Sequence, residues 1–177
     1  LNSDTDHNRT VFTFRGEPDA VLEGAKRLAQ KAVELIDMTT HQGSHPRMGA
    51  VDVVPFIPVK DIEIAEAVQI AKEFGRFLGG LGVPVYYYEE ASNKDYRKTL
   101  VAIRKGQYEG LEEKMKDPDW VPDEGPVNFV PKSGATVTGV RFPLVAFNVN
   151  ISTSDLEIGK KIVKAVSYKE NSTQAIA

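Results

Sequence analysis

The sequence contains no cysteine. Disulfides, cysteine-ligated zinc, iron–sulfur clusters and thiol nucleophiles are excluded together, and the composition fits a reducing, cytoplasmic setting. Positive charge is not in excess either: Lys and Arg total 22 against 25 Asp and Glu, a net charge of −3. A nucleic-acid binder that relies on overall positive charge is excluded, while a local basic patch is not. No apolar run approaches the length that crosses a bilayer, so no membrane partner is expected. The opening residues Leu1 to His7 are neither a signal peptide nor a transit peptide and carry no initiator Met, so the chain is expected to be a fragment. Repeats, low-complexity tracts and a clear linker are also missing. What remains is 177 residues, 41% hydrophobic and 27% charged, enough for one domain or two small ones with a real core.

The apolar periodicity alternates between strand and helix. Thr10 to Phe14 alternates and is rich in β-formers, which predicts a strand. Pro18 opens a helix to about Ile36, with Val21, Ala25, Leu28, Ala32 and Leu35 as its buried stripe. Residues 38–50 lose the period and form a shaped loop. Val51 to Val59 reads as a strand confined to an edge or a bulge by Pro55 and Pro58. Asp61 is the expected N-cap of a helix buried through Ile64, Val68, Ala71, Phe74 and Leu78 and ended by Gly79, Gly80 and Gly82. Val83 to Tyr88 is a strand. Its three tyrosines alternate across the sheet, with core as their default environment.

Asp95 to Lys105 reads as a short basic helix and 107–116 as a second one. Four prolines make 117–134 a long loop, and loops of that length in compact domains are usually functional or disordered. Ala135 to Val140 and Leu144 to Ile151 are expected to pair through a turn at Arg141-Phe142-Pro143. Ser154 to Glu157 forms a capping box before a last helix to about Val166. Its run into Ser167-Tyr168-Lys169 without Gly or Pro suggests residues missing there. The order is mixed α/β, one sheet with covering helices.

The three histidines, His7, His41 and His45, are the readiest source of a base near neutral pH. His45 precedes Pro46, which pushes its backbone to the extended region, and is followed by Arg47 and Met48-Gly49 in a loop between helix and strand. An ordinary surface loop is the alternative. His41 and His45 are spaced as in helical zinc sites, but Gly43 and Pro46 oppose a helix and Gln42 stands where that motif has Glu, so no metal is expected. His41 is then a supporting or surface residue. Asn8 and Arg9 could grip a carboxylate or be a solvated strand entry. Lys94, Arg97, Lys98, Arg104 and Lys105 form a local positive excess, read as a solvated face or an attractor of an anionic tail. No dinucleotide fingerprint, P-loop or nucleophile elbow is present, and the two N-x-S/T sequons are read as chance without a secretion signal.

Four stretches together carry a resemblance: Asp6-His7-Asn8-Arg9-Thr10-Val11-Phe12-Thr13-Phe14; His45-Pro46-Arg47-Met48-Gly49-Ala50 running on to Pro58; Trp120-Val121-Pro122-Asp123 with Gly125-Pro126; and Gly134 to Gly139 with Ala146-Phe147-Asn148. In order, over roughly residues 6–152, the chain resembles glutamate formiminotransferase, a folate-dependent transferase family found alone in bacteria and fused to a cyclodeaminase in animals. The resemblance implies an α+β, ferredoxin-like subdomain, its mixed β-sheet covered by helices, over residues 1–152. It implies only a connecting helix and the start of a second, similar subdomain over 153–177. The family's opening strand and helix have no counterpart here.

The same resemblance implies transfer of a formimino group from N-formimino-L-glutamate to N5 of tetrahydrofolate in histidine degradation, with folate in a groove between the two subdomains. It places the catalytic His on His45. It places the folate-binding segment on Gly125, Pro126, Val127, Asn128, Phe129, Val130, Pro131, Lys132, Ser133 and Gly134. Tetrahydrofolate is then the co-substrate, with no metal and no nucleic acid, and a homodimer or an association with a cyclodeaminase is compatible. Arg47, Arg9 and Asn8 are candidates for holding substrate carboxylates. Asp52 is a candidate for orienting the imidazole or stabilising the amidinium. Two other readings stay open: N-formylglutamate as donor, and a folate-binding module without catalysis.

Overall fold

A computed structural model of the chain describes residues 1–143 and 151–166. It divides into two units, Leu1–Pro143 and Leu144–Ala177. The first is a mixed α and β body, as the sequence indicates. Its elements are β1 (Asn2–Asp4), β2 (Arg9–Val11), α1 (Pro18–Leu35), β3 (Val53–Phe56), α2 (Ile64–Gly80), β4 (Val85–Glu89), α3 (Leu100–Arg104), α4 (Leu111–Lys114) and β5 (Thr136–Val140). Single 3-10 turns occupy Asp95–Arg97 and Pro118–Trp120. The second unit carries α5 (Leu156–Val166).

β5 lies at the centre of a three-stranded parallel sheet in the order β3-β5-β4. Parallel strands need covered faces, and every residue of β5 is buried. One face packs under α2, against which α1 lies, in a core of Leu22, Ala71, Phe74, Leu78 and Tyr87. The other packs under α3, α4 and the proline-rich loop through Met48, Tyr86, Tyr88, Ile103, Leu111 and Val137. The tyrosine triplet thus divides as its period of two requires, one ring into the first core and two into the second. β3 is an edge strand, which is where Pro55 can sit without removing a needed ladder donor.

Several elements depart from the sequence reading. Thr10–Phe14 is not a strand of the sheet. β2 pairs antiparallel with β1 as an exposed hairpin. The Phe12 side chain instead borders an apolar groove with Leu28, Ala32 and Leu35 of α1. The buried stripe of α1 runs through Leu22, Ala25 and Ala29, and Leu35 is exposed, because that helix meets α2 rather than lying flat on the sheet. α2 starts at Ile64 after an uncapped Glu63. Asp61 sits outside it with φ of 53°, a conformation no N-cap adopts. The single basic helix expected over Asp95–Lys105 is split at Thr99, whose hydroxyl accepts from the Ala102 N–H and caps a new start. α5 is capped by Asp155, which accepts from the Glu157 N–H at 2.9 Å, rather than by Ser154. The strand expected over Leu144–Ile151 lies outside the described residues except for Ile151, which is not in a strand, and the gap expected near Ser167 also lies outside them.

Candidate functional site

The loop between α1 and β3 carries His45 and is pinned on both sides. Asp52 Oδ1 accepts from the Met48 N–H at 2.8 Å, closing a tight turn over Gly49-Ala50-Val51, directly after the His-Pro-Arg segment. Ala135 N donates to Met48 O at 3.0 Å and Ala50 N to Ser133 O at 2.8 Å, so Gly49 and Gly134 face each other in an antiparallel bridge. Gly134 has a φ of 63°, and a Cβ there would collide with Met48 O. Only glycine allows this approach of two backbones. The pairing brings the end of the proline-rich segment against the His45 loop.

Around the imidazole stand groups from three other places in the chain. Arg9 of β2 places Nη1 at 3.3 Å from His45 Nδ1 and 3.5 Å from Nε2. A guanidinium can only donate, so the nitrogen it addresses must carry a lone pair. Asp52 Oδ2 is 3.6 Å from His45 Nε2. The same oxygen is 2.7 Å from Arg104 Nη2, at the end of α3. The His7 ring lies 6.1 Å from that of His45 and is tied back to Asp4 Oδ1 at 2.8 Å. Burial, and next the Arg9 charge, hold the His45 imidazole below its ordinary value. Asp52 works in the other direction, and Arg104 and His7 add to the lowering. A half-buried, neutral imidazole beside a carboxylate can accept a proton from a substrate amine and return it.

Asn8 turns the hairpin with φ of 47°, and its Nδ2 donates to Gln42 O at 2.7 Å, so it joins hairpin to loop. Arg9 is exposed, with its charge paired to no carboxylate in the described contacts. Arg47 is mostly buried. Its Nη1 pairs with Glu109 Oε1 at 2.7 Å and its Nε donates to His41 Nδ1 at 3.3 Å. His41 Nε2 lies 3.0 Å from Asn8 O, so His41 supports the loop and the hairpin together. A substrate carboxylate at Arg47 would have to displace Glu109.

The segment from Gly125 to Gly134 is held along its length. Gly125 has a φ of 82°. Val127 and Asn128 are exposed and, with Phe129, Glu112, Met115 and Lys116, line an open cavity of about 250 Å³. The Phe129 ring lies 5.5 Å from Tyr108, whose hydroxyl donates to Pro131 O at 2.7 Å and whose own face lies 5.7 Å from the Arg47 guanidinium. Val130 O accepts from the Gly134 N–H at 2.8 Å, and Lys132 O from the Met38 N–H at 2.9 Å. The second half of the loop is held by its own Val130–Gly134 bond and by Tyr108 and Met38, and Arg47, Tyr108 and Phe129 form a continuous path from the His45 loop to the cavity.

Sequence reasoning missed Arg104, Tyr108 and Glu109. The basic excess that contains Arg104 is not one solvated face. Arg97 is fully buried against Asp123 at 2.9 Å, and Arg104 is four-fifths buried against Asp52. The available signal was the pairing of each such cation with a carboxylate distant in sequence, which linear spacing cannot reveal.

Comparison with known proteins completes the description. The family model of the formiminotransferase domain, N-terminal subdomain, matches residues 1–141. The chain is 57% identical over 145 residues to the formimidoyltransferase-cyclodeaminase of Mus musculus, a match covering 81% of this chain and 27% of that protein. It is 46% identical over 166 residues to the glutamate formimidoyltransferase of Streptococcus pyogenes serotype M1, covering 93% and 56% respectively. It is 44% identical over 173 residues to the protein of the same name from Thermoplasma acidophilum, covering 96% and 57%. The chain therefore spans little more than half the length of the two glutamate formimidoyltransferases and about a quarter of the fused protein.

Proposed function

The chain belongs to the formiminotransferase family, and on that premise we propose that it forms part of an enzyme transferring the formimino group of N-formimino-L-glutamate to N5 of tetrahydrofolate. The products are 5-formiminotetrahydrofolate and glutamate. Residues 1–152 then form the N-terminal subdomain and 153–177 lead into a second one. The observation that carries the reading is the His45 imidazole set between Arg9 and Asp52, on a loop paired through Gly49 with Gly134.

The donor amidine carbon is electrophilic when protonated, and N5 is a secondary amine. Attack forms the N5–C bond and leaves N5 cationic. His45 takes that proton. The tetrahedral adduct then releases glutamate by breaking the C–N bond to it, and His45 returns the proton to the departing nitrogen. One imidazole can serve both steps because the ordinary pKa of the group lies near neutral pH. Asp52, close but not hydrogen-bonded, stabilises the transient imidazolium. Arg9 is exposed and free of an acidic partner in the described contacts, which suits it to hold a donor carboxylate. Gly125 to Gly134 supplies the folate wall, with Val127, Asn128 and Phe129 at its open cavity.

The test is turnover. Protein, tetrahydrofolate and formiminoglutamate are mixed and the absorbance change of the 5-formimino product is followed, with N-formylglutamate in a parallel arm. His45→Ala is expected to lose roughly 10²–10⁴ in rate, the usual share of a general acid–base, with folate binding retained. Parent-like turnover by that variant would remove His45 from the chemistry. Product from the formyl arm alone would change the donor.

A further inference from the structure

We propose that Arg104 is a positioning residue for this reaction: by holding Asp52 through Oδ2 it keeps that carboxylate beside His45 but off its imidazole, so that the ring stays a free base. The inference rests on the acid–base role of His45 proposed above. Asp52 has both oxygens engaged by groups other than the histidine, Oδ1 by the Met48 N–H at 2.8 Å and Oδ2 by Arg104 Nη2 at 2.7 Å. The 3.6 Å left to His45 Nε2 exceeds a hydrogen bond. Released from Arg104, the carboxylate would close that gap by a small side-chain rotation and form a charge-assisted bond to a protonated ring. The proton would then be held before any substrate arrived.

Arg104 is placed for this by the fold rather than by chance at a surface. α3 is capped at Thr99, Ile103 inserts fully into the core against Tyr86 and Tyr88, and Lys114 Nζ donates to Ile103 O at 2.6 Å. These fix the last turn of the helix, and with it the guanidinium, whose Nε is itself buried. The charged and titratable groups facing His45 are Arg9 from β2, His7 from the hairpin turn, Asp52 from its own loop and Arg104 from α3.

The test reads the ring itself and needs no turnover. The imidazole C–H proton signals of this chain are followed by NMR against pH, with the His45 signal assigned by its loss in His45→Gln. Arg104→Met is expected to move the His45 titration to higher pH, while Arg104→Lys, which keeps a cation, stays near the parent. In an Asp52→Asn background the effect of Arg104→Met is expected to shrink. An unmoved titration in Arg104→Met overturns the proposal. So does an equal shift with and without Asp52, which would mean direct repulsion alone. If Arg104→Met does not fold, Arg104→Gln and Asp52→Asn still give the cycle. In the turnover assay, the same variant is expected to lose roughly tenfold in kcat/KM on the acid side and much less at alkaline pH. Failure of catalysis in the parent would sink the functional reading while leaving the titration result standing.

Discussion

Arg9 Nη1 lies 3.3 Å from His45 Nδ1, an exposed cation resting on a half-buried ring. After burial, this charge is the next cause that disfavours a proton on the imidazole, and the exposed guanidinium is able to turn toward an incoming carboxylate. Arg9→Ala should therefore have three separable outcomes. The His45 titration should rise, because a neighbouring positive charge is gone. The KM for the donor should increase by roughly ten- to a hundredfold, the usual worth of a charge-assisted bond. Melting temperature should change little, since the side chain is exposed. Steady-state kinetics and a thermal melt separate the three readouts.

The lowered His45 value also fixes the direction of pH dependence. The reactive base form persists below the ordinary imidazole value, so the acid limb of kcat/KM should fall at lower pH than for a free histidine. Folding carries the same sign. The unfolded state binds the proton first as pH drops, so the stability contribution of the neutral ring is complete above the ordinary value. It is lost as pH falls through the lowered one. His45→Gln should remove that part of the slope, measured by denaturant melts from neutral pH downward.

Gly134 carries the junction between the histidine loop and the proline-rich segment. Gly134→Ala places a side chain at φ of 63° against Met48 O. Strain at such a position costs about 1–3 kcal/mol. The expected result is a lower melting temperature together with a loss of folate affinity and rate, because both partners of the Gly49–Gly134 bridge must move. A variant that melts like the parent and binds folate equally well would show that the junction tolerates separation.

Much of this was legible in the chain itself, and the boundary of legibility has a physical origin. α2 follows its apolar period because it lies across the sheet, with Ala71, Phe74 and Leu78 all buried. Val83–Tyr88 is an apolar and aromatic run, as a sheet covered on both faces requires, and Ala135–Val140 is rich in β-formers, with Thr136 and Thr138 buried beside Val137 and Val140. His45 stood out as a candidate through Pro46, Arg47 and Met48-Gly49, and the four motif stretches pointed to the family that the comparisons show. Thr10–Phe14 misled because alternation encodes a face and not a partner. Phe12 and Phe14 turn toward α1, and no strand forms beyond Val11. The pairings of Arg97, Arg104 and Glu109 were invisible for another reason. A buried ion pair is a tertiary event, and Asp52 lies 52 residues from the cation it holds.

The pair between Arg97 and Asp123 shows how such an event shapes the candidate folate wall. Arg97 is wholly buried, stacks 5.1 Å from the Tyr86 ring and reaches Asp123 Oδ1 at 2.9 Å. Asp123 Oδ2 accepts from the Tyr87 N–H at 2.8 Å, and Lys94 Nζ adds a contact at 3.4 Å. One carboxylate thus ties the loop, just before Gly125, to β4. Removing the anion strands a buried guanidinium, whereas removing the cation leaves Asp123 with a backbone donor and a lysine. Asp123→Ala should therefore destabilise by about 3–5 kcal/mol, the range for a buried pair broken on one side. Arg97→Met, of similar length and apolar, should cost clearly less. Chemical denaturation of both variants tests the asymmetry, and equal losses would mean that the guanidinium is not the costly partner. Folate affinity should follow the same order, because the segment from Gly125 to Gly134 starts from the position that Asp123 sets.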